Sequence, residues 1–243
     1  MSTLLEVEGL EKRFGGVAAV NACSFSVAQG TITGLIGPNG SGKTTVFNLV
    51  TGYLKTDRGL IAFDGQHVRR PAPASLARRG LIRTFQQARI FPQLTLVENL
   101  ALAVPQPWWG FGRAGVRRPE RARAEELLAE FGLLQHAEVG AGELSYGQQK
   151  LLEFAATLMS RPRLVLLDEP TAGVNPVLVE RIAGHIRRLN EQGLTFLVVE
   201  HDMNVVMSLC DPVIVLDRGA KIAEGAPREV QHDPAVLDAY LGE

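Results

Sequence analysis

The chain has 243 residues, 25 Lys and Arg against 26 Asp and Glu for a formal net charge of −1, and 46% apolar residues. These figures exclude disorder as the main state, and no apolar run nears the ~18 to 20 residues of a membrane span, so any membrane role has to come through a partner. They weigh against broad nucleic-acid binding, which normally demands a basic surplus, and with Cys23 and Cys210 as the only cysteines they exclude a disulfide framework. The N-terminus shows no basic region followed by an apolar segment and cleavage site, and the expected setting is a reducing, cytoplasmic one. The length suits one large domain or two interlocked ones.

In chain order, Leu4 to Val27 alternates short apolar pieces around Gly15-Gly16, which predicts two strands of a small antiparallel layer. Thr31 to Ile36 reads as a strand that stops at a glycine-rich loop, followed by a helix over Thr44 to Thr51 that Gly52 terminates. Thr56 to Val68, with its turn at Asp64-Gly65, predicts a hairpin that extends the antiparallel layer. Gly80 to Phe85 is ambiguous. Val104 to Arg123 is rich in Pro, Gly, Arg and Trp and reads as an inserted loop leading into a helix over Ala122 to Phe131. Apolar spacing then predicts a helix over Tyr146 to Met159, a buried strand over Arg163 to Leu167, and a helix over Pro176 to Asn190 capped by Asn175 and ended by Gly193. A strand over Thr195 to Val199 follows, so strand, crossover helix and strand point to a parallel sheet flanked by helices. Val213 to Leu216 and Lys221 to Ala223, joined at Arg218-Gly219, read as a closing pair of strands.

Gly37-Pro38-Asn39-Gly40-Ser41-Gly42-Lys43-Thr44 fits G-x-x-x-x-G-K-[ST] directly after a strand and at the start of a helix. Glycines at these spacings let the backbone curl with its N–H groups inward, a nest that favours phosphate oxygens. Lys43 adds a positive charge for the β- and γ-phosphates, and Thr44 offers a hydroxyl to Mg²⁺. The apolar strand Leu164-Val165-Leu166-Leu167 delivers two carboxylates at its end: Asp168, able to reach Mg²⁺ through its water shell, and Glu169, able to orient and deprotonate a water. Leu144-Ser145-Tyr146-Gly147-Gln148 lies 24 residues before Asp168, with Ser145 and Gln148 spaced as a capping box, so that a helix N-terminus forms a second anion site. Taken alone, that segment is also just a well-capped helix.

The order phosphate loop, Gln86, Leu144-to-Gln148 segment, Asp168-Glu169 and His201 resembles ABC ATPases over essentially the whole chain, the segment at Leu144 resembling their LSGGQ signature. The resemblance implies an α/β P-loop NTPase: a mostly parallel core sheet and antiparallel β layer from approximately 1–87 and 161–243, with an inserted helical subdomain at 88–160 carrying the signature. It implies ATP and Mg²⁺ as cofactors, with nucleotide bound by Phe14, Gly37 to Thr44, Thr45 and Gln86. Metal binding falls to Thr44, Gln86 and Asp168, and catalysis to Lys43, Glu169 and His201. Phe14 looks like the aromatic residue that stacks on adenine, with a strand-core aromatic as the other reading. Gln86 looks like the glutamine linking the metal site to the transport partner, and His201 like the histidine that contacts the γ-phosphate. His67, His136, His185 and His232 read as surface or packing residues.

Two departures stand out: Tyr146 replaces a signature glycine, and Ala172-Gly173-Val174-Asn175 stands where many members have a segment ending in Asp. LSYGQQ, AGVNP, VVEHDM and the ending EGAPREVQHDPAVLDAYLGE are similar to LivG-type ATPases of branched-chain amino-acid importers. The expected protein is an importer ATPase, acting as a nucleotide-sandwich dimer with itself or a related second ATPase. It would sit at the cytoplasmic side of the membrane on permease subunits, served indirectly by a solute-binding protein and with no nucleic-acid partner. An exporter ATPase, as for lipopolysaccharide, and an ATP-dependent switch without useful turnover are the alternatives. Trp108, Trp109 and Phe111 beside Arg113, Arg117, Arg118, Arg121 and Arg123 admit three readings: a loop packed on the helical subdomain, a contact to transporter or lipid headgroups, and a nucleic-acid patch.

Overall fold

Alternating apolar and polar residues, broken at Gly15-Gly16, fold residues 3–28 into two antiparallel strands, β1 (Thr3–Phe14) and β2 (Val17–Ala28). The computed structural model describes residues 2–69, 71–84, 90–104 and 116–241. β3 (Ile32–Ile36) runs through the glycine-rich loop into α1 (Lys43–Val50). The hairpin of β4 (Arg58–Phe63) and β5 (Gln66–His67) follows, then α2 (Pro73–Arg78) and β6 (Leu81–Arg83). α3 (Leu96–Leu102), α4 (Arg118–Glu130) and α5 (Tyr146–Leu158) make up the helical segment. Strand and helix then alternate through β7 (Leu164–Asp168), α6 (Pro176–Glu191), β8 (Thr195–Val199) and α7 (Met203–Leu209). The chain closes with β9 (Val213–Asp217), β10 (Ala220–Gly225), α8 (Pro227–Gln231) and α9 (Pro234–Leu241).

Two sheets result. One is antiparallel in the order β2-β1-β4-β5; the other runs β10-β9-β3-β8-β7-β6, parallel except for the β9–β10 pair. Apart from the edge strand β6, the parallel strands are almost wholly buried on both faces, and alternate residues divide between two cores. Leu35, Leu164, Leu166, Leu197, Val199 and Ile214 face the antiparallel sheet and α1, while Ile36, Val165, Leu167, Phe196, Val198 and Val215 face α3 to α6. The apolar faces of the helical segment therefore belong to the same core as one side of the parallel sheet.

Some boundaries differ from the sequence expectation. The loop read as far as Arg123 ends sooner, because α4 begins at Arg118 with Pro119 in its first turn, where a missing N–H costs nothing. The strand expected over Arg163 to Leu167 is shifted to Leu164–Asp168, since Asp168 continues the parallel ladder opposite Val199. The helix expected from Thr44 begins at Lys43. The ambiguous stretch at residue 80 contains β6, paired in parallel with β7.

Candidate functional site

Three adjacent parallel strands, β3, β8 and β7, end at the same edge of their sheet, and each hands its last residue to a chemically loaded segment. That edge, beyond the carboxyl ends of the strands, is where open α/β sheets bind ligands.

At the end of β3 the loop from Gly37 to Thr44 is held from outside by backbone. A Cβ at Gly37 would lie 2.1 Å from the Leu216 carbonyl oxygen, and one at Gly42, whose φ is +101°, 2.5 Å from that of Ala19. Only glycine fits either place, so the tight curl is built into the contacts of the loop with β9 and β2. Pro38 and Ser41 are buried while Asn39, Gly40 and Thr44 are exposed, and Thr45 is half-buried. Lys43 is buried, and its Nζ donates to the carbonyl oxygens of Gly37 at 2.7 Å and Pro38 at 2.9 Å. The ammonium thus lies against the loop it belongs to.

At the end of β7, Asp168 is buried and its Oδ2 accepts from Arg83 Nη2 at 2.6 Å, both side chains being under one-tenth exposed. Arg83 also donates to Asn48 Oδ1 at 2.6 Å and lies over the Phe47 ring, which ties the end of β6 to α1 and β7. Glu169 follows in the left-handed region at φ +49°, a conformation that costs a non-glycine residue of order 1–3 kcal/mol. Its N–H donates to Val199 O at 2.9 Å. Its carboxylate Oε1 lies 2.7 Å from His201 Nε2, which stands just past β8. Between β8 and His201 sits Glu200, 4% exposed, whose Oε1 accepts from the N–H of Thr171 at 2.9 Å and its hydroxyl at 2.6 Å. A cleft of about 650 Å³ runs along Glu169, Glu200, His201 and α6.

The third part is the N-terminus of α5. Ser145 caps it with Gln148 in the reciprocal arrangement: Ser145 Oγ accepts from Gln148 N–H, and Gln148 Oε1 accepts from Ser145 N–H at 2.9 Å. Leu144 is buried beneath it, and Gly147 leaves room for Leu178 of α6, which a Cβ would approach to 2.5 Å. Tyr146 is 48% exposed, and a Cβ on Gly173 would sit 3.7 Å from its ring and hydroxyl. The two departures noted in the sequence, Tyr146 and the segment at Gly173, are therefore neighbours. A cleft of about 850 Å³ lies between them and Arg181.

Phe14, at the end of β1, is 49% exposed with Lys12 Nζ 5.6 Å from its ring centre, which excludes the strand-core reading. Gln86 lies outside the described residues, as do Trp108, Trp109, Phe111 and Arg113. Arg117, Arg121 and Arg123 pair with Glu120, Glu125, Glu138 and Glu126 on or beside α4, the pattern of a solvated helix face. His185 is a packing residue, stacked on Phe131 at 4.2 Å. Both cysteines are buried and unbridged, and burial pushes Cys23 up to about 11 and Cys210 up to about 12. Sequence reasoning missed Arg83, Glu200 and Thr171; a charge inside an apolar strand and a carboxylate directly after one were the available signals.

The donors suit a hard cation. Thr44 and Asp168 supply oxygen, and among the described residues no group of three or more His, Cys, Asp and Glu gathers to cage a metal. A Mg²⁺ ion, bound through one or two carboxylates and completing its shell from phosphates and water, would need no such cage.

Comparison with known proteins extends these findings. Residues 20–172 match the family model described as ABC transporter, and residues 220–243 match one described as branched-chain amino acid ATP-binding cassette transporter. The chain is 42% identical to the high-affinity branched-chain amino acid transport ATP-binding protein BraF of Pseudomonas aeruginosa, covering 99% of this chain and 98% of that protein. It is 40% identical to LivG of Escherichia coli, which bears the same description, over the same shares. A solved ADP conformation of an ATP-binding cassette of an ABC transporter superposes with a TM-score of 0.90 at 35% identity, over 100% of both chains.

Proposed function

Because the chain belongs to the ABC transporter family of ATP-binding, ATP-hydrolysing cassettes, we propose that it powers an importer for branched-chain or other amino acids. The observation that carries the catalytic part is the Glu169–His201 contact of 2.7 Å, set one strand away from a phosphate loop on the same sheet edge. The relatives are named for high-affinity branched-chain amino acid transport, which supports a transport role over an ATP switch and an amino acid over lipopolysaccharide as the solute.

In this reading the inward N–H groups from Gly37 to Thr45 hold the phosphates, Lys43 turns from its own loop carbonyls to the β- and γ-phosphate oxygens, and Phe14 stacks on adenine. Thr44, Asp168 and Gln86 would hold Mg²⁺, which when bound would neutralise charge on the phosphate oxygens. Glu169 takes the proton of a water as the water oxygen attacks the γ-phosphorus and the bond to the ADP oxygen breaks, giving ADP and inorganic phosphate. His201 contacts the γ-phosphate and orients Glu169. The Ser145 helix of a second copy, or of a related second ATPase, closes over the same nucleotide. Gln86 relays closure to permease subunits at the cytoplasmic face of the plasma membrane, and a solute-binding protein acts only through those subunits.

Phosphate release by the cassette with its permease partners tests this, together with uptake of labelled leucine into vesicles. Glu169→Gln keeps shape and hydrogen bonding but cannot take the proton, so turnover should fall by about 10²–10⁴-fold with ATP still bound. Wild-type turnover in Glu169→Gln overturns the assignment of the base. Solute-independent phosphate release, with no leucine, isoleucine, valine or other amino acid taken up, overturns the import reading. Lys43→Ala should abolish binding of a fluorescent ATP analogue.

A further inference from the structure

We propose that Glu200 is a positioning residue for hydrolysis, holding Glu169 and His201 in register with each other; this rests on reading those two as the hydrolytic pair. The pair is delivered by different strands, β7 and β8, and its members point across a gap that neither strand controls alone. Glu169 also sits in a left-handed conformation that its own side chain disfavours, at φ +49°. Something must hold it from both sides.

From the N-terminal side the hold is the bond from Glu169 N–H to Val199 O at 2.9 Å. From the other side it is Thr171, two residues on, whose N–H and hydroxyl both donate to Glu200 Oε1 at 2.9 and 2.6 Å. The second carboxylate oxygen, Oε2, accepts from the N–H of His201 at 3.2 Å. One buried carboxylate therefore fixes the backbone that leaves Glu169 and the backbone that carries His201, and the 2.7 Å contact between those side chains closes the ring. The three bonds to one buried anion, two of them from backbone N–H groups, form a connected unit rather than a surface ion pair. Among the described residues Glu200 reaches the nucleotide site only through His201, its hydrogen bonds being to Thr171 and His201.

The role predicts a loss in kcat without a matching loss in nucleotide binding. In Glu200→Gln the amide oxygen still accepts from Thr171, but the amide nitrogen meets the His201 N–H as donor against donor, so the unit opens on the His201 side. Misplacement of the pair by a fraction of an ångström to an ångström should lower kcat by about 10- to 100-fold, with affinity for a fluorescent ATP analogue within about twofold of wild type. Thr171→Val removes only the hydroxyl bond and should cost a few-fold. In the background His201→Ala the further effect of Glu200→Gln should shrink to less than about threefold, because a positioning residue cannot misplace a partner already removed.

The experiment measures kcat, KM and analogue affinity for the full-length cassette with its permease partners, per folded nucleotide site. Wild type, Glu200→Gln, Thr171→Val, His201→Ala, the double variant and Glu169→Gln are compared. Wild-type kcat in Glu200→Gln overturns the proposal, as does an equal multiplicative loss in the His201→Ala background or a loss that tracks nucleotide affinity. Should Glu200→Gln fail to fold, Thr171→Val decides: unchanged kcat, or a loss that tracks affinity for the analogue, overturns the proposal, and a few-fold loss in kcat with unchanged affinity supports it. Glu169→Gln separates the two readings. If it retains turnover, the hydrolytic pair itself is wrong; if it abolishes turnover while Glu200→Gln does not change it, only the positioning role fails.

Discussion

Arg83 and Asp168 form a buried pair at 2.6 Å whose removal has asymmetric consequences. Taking away one partner leaves an uncompensated charge in a low-dielectric site, a loss of about 3–5 kcal/mol, whereas replacing both by neutral groups removes the cost together with the attraction. Arg83→Met should therefore lower the denaturation midpoint sharply, and Arg83→Met with Asp168→Asn should recover a large part of the loss in a double-mutant cycle. Additive losses in urea unfolding would show that the pair is not coupled. The phosphate loop was legible from eight consecutive residues because its chemistry is local: glycines for backbone approach, Lys43 for charge, Thr44 for a hydroxyl. Arg83 was not legible, because what gives it meaning is a carboxylate 85 residues away, brought near by the parallel pairing of β6 with β7. Glu200 was hidden in the same way, as a carboxylate after a strand reads as solvated until Thr171 is seen to donate to it.

At the scale of elements, α6 joins the helical segment to the sheet through His185, which is 4% exposed and stacked on Phe131 at 4.2 Å with an interplanar angle of 13°. Burial first, and the charges of Arg188 and Arg181 after it, push the imidazole down from 6.5 to about 4. Between those values the unfolded chain binds the proton and the folded chain does not, so stability rises with pH there. The contribution is complete above about pH 6.5 and is lost as pH falls toward 4, with a slope near 1.4 kcal/mol per pH unit at its steepest. His185→Gln, which removes the titrating group, should flatten that part of the urea-unfolding curve between pH 4.5 and 6.5; an unaltered slope would place the pH dependence elsewhere. The helix carrying His185 was legible because its apolar face, its Asn175 cap and Gly193 agree, and Asn175 Oδ1 does accept from Leu178 N–H at 2.9 Å. α4 was misplaced by four residues because Pro119 among arginines resembles loop punctuation, although proline also suits a first helical turn. β6 was ambiguous because a strand of three residues carries almost no period, and its place is set by β7 alongside.

Over the whole molecule, the proposed function makes the phosphate loop and the Ser145 helix two half-sites that a second cassette would close. Tyr146 at 48% exposure and Val177 at 80% lie on the face of the 850 Å³ cleft that the second cassette would cover. A ligand gripped by both halves stabilises the dimer in proportion to its differential affinity for that state, so ATP should drive association and ADP, lacking the γ-phosphate, should not. Blocking hydrolysis with Glu169→Gln should let the closed form accumulate, and light scattering should then report about twice the monomer mass in Mg-ATP and monomer mass in ADP. Adding Ser145→Arg fills the half-site with bulk and should abolish the dimer while the phosphate loop still binds the fluorescent analogue with near-unchanged affinity. If pairing is with a related second ATPase, the same loss should appear only in the mixture of the two chains. A dimer that persists with Ser145→Arg in both settings, or that forms equally in ADP, would mean the Ser145 helix is a well-capped helix and nothing more.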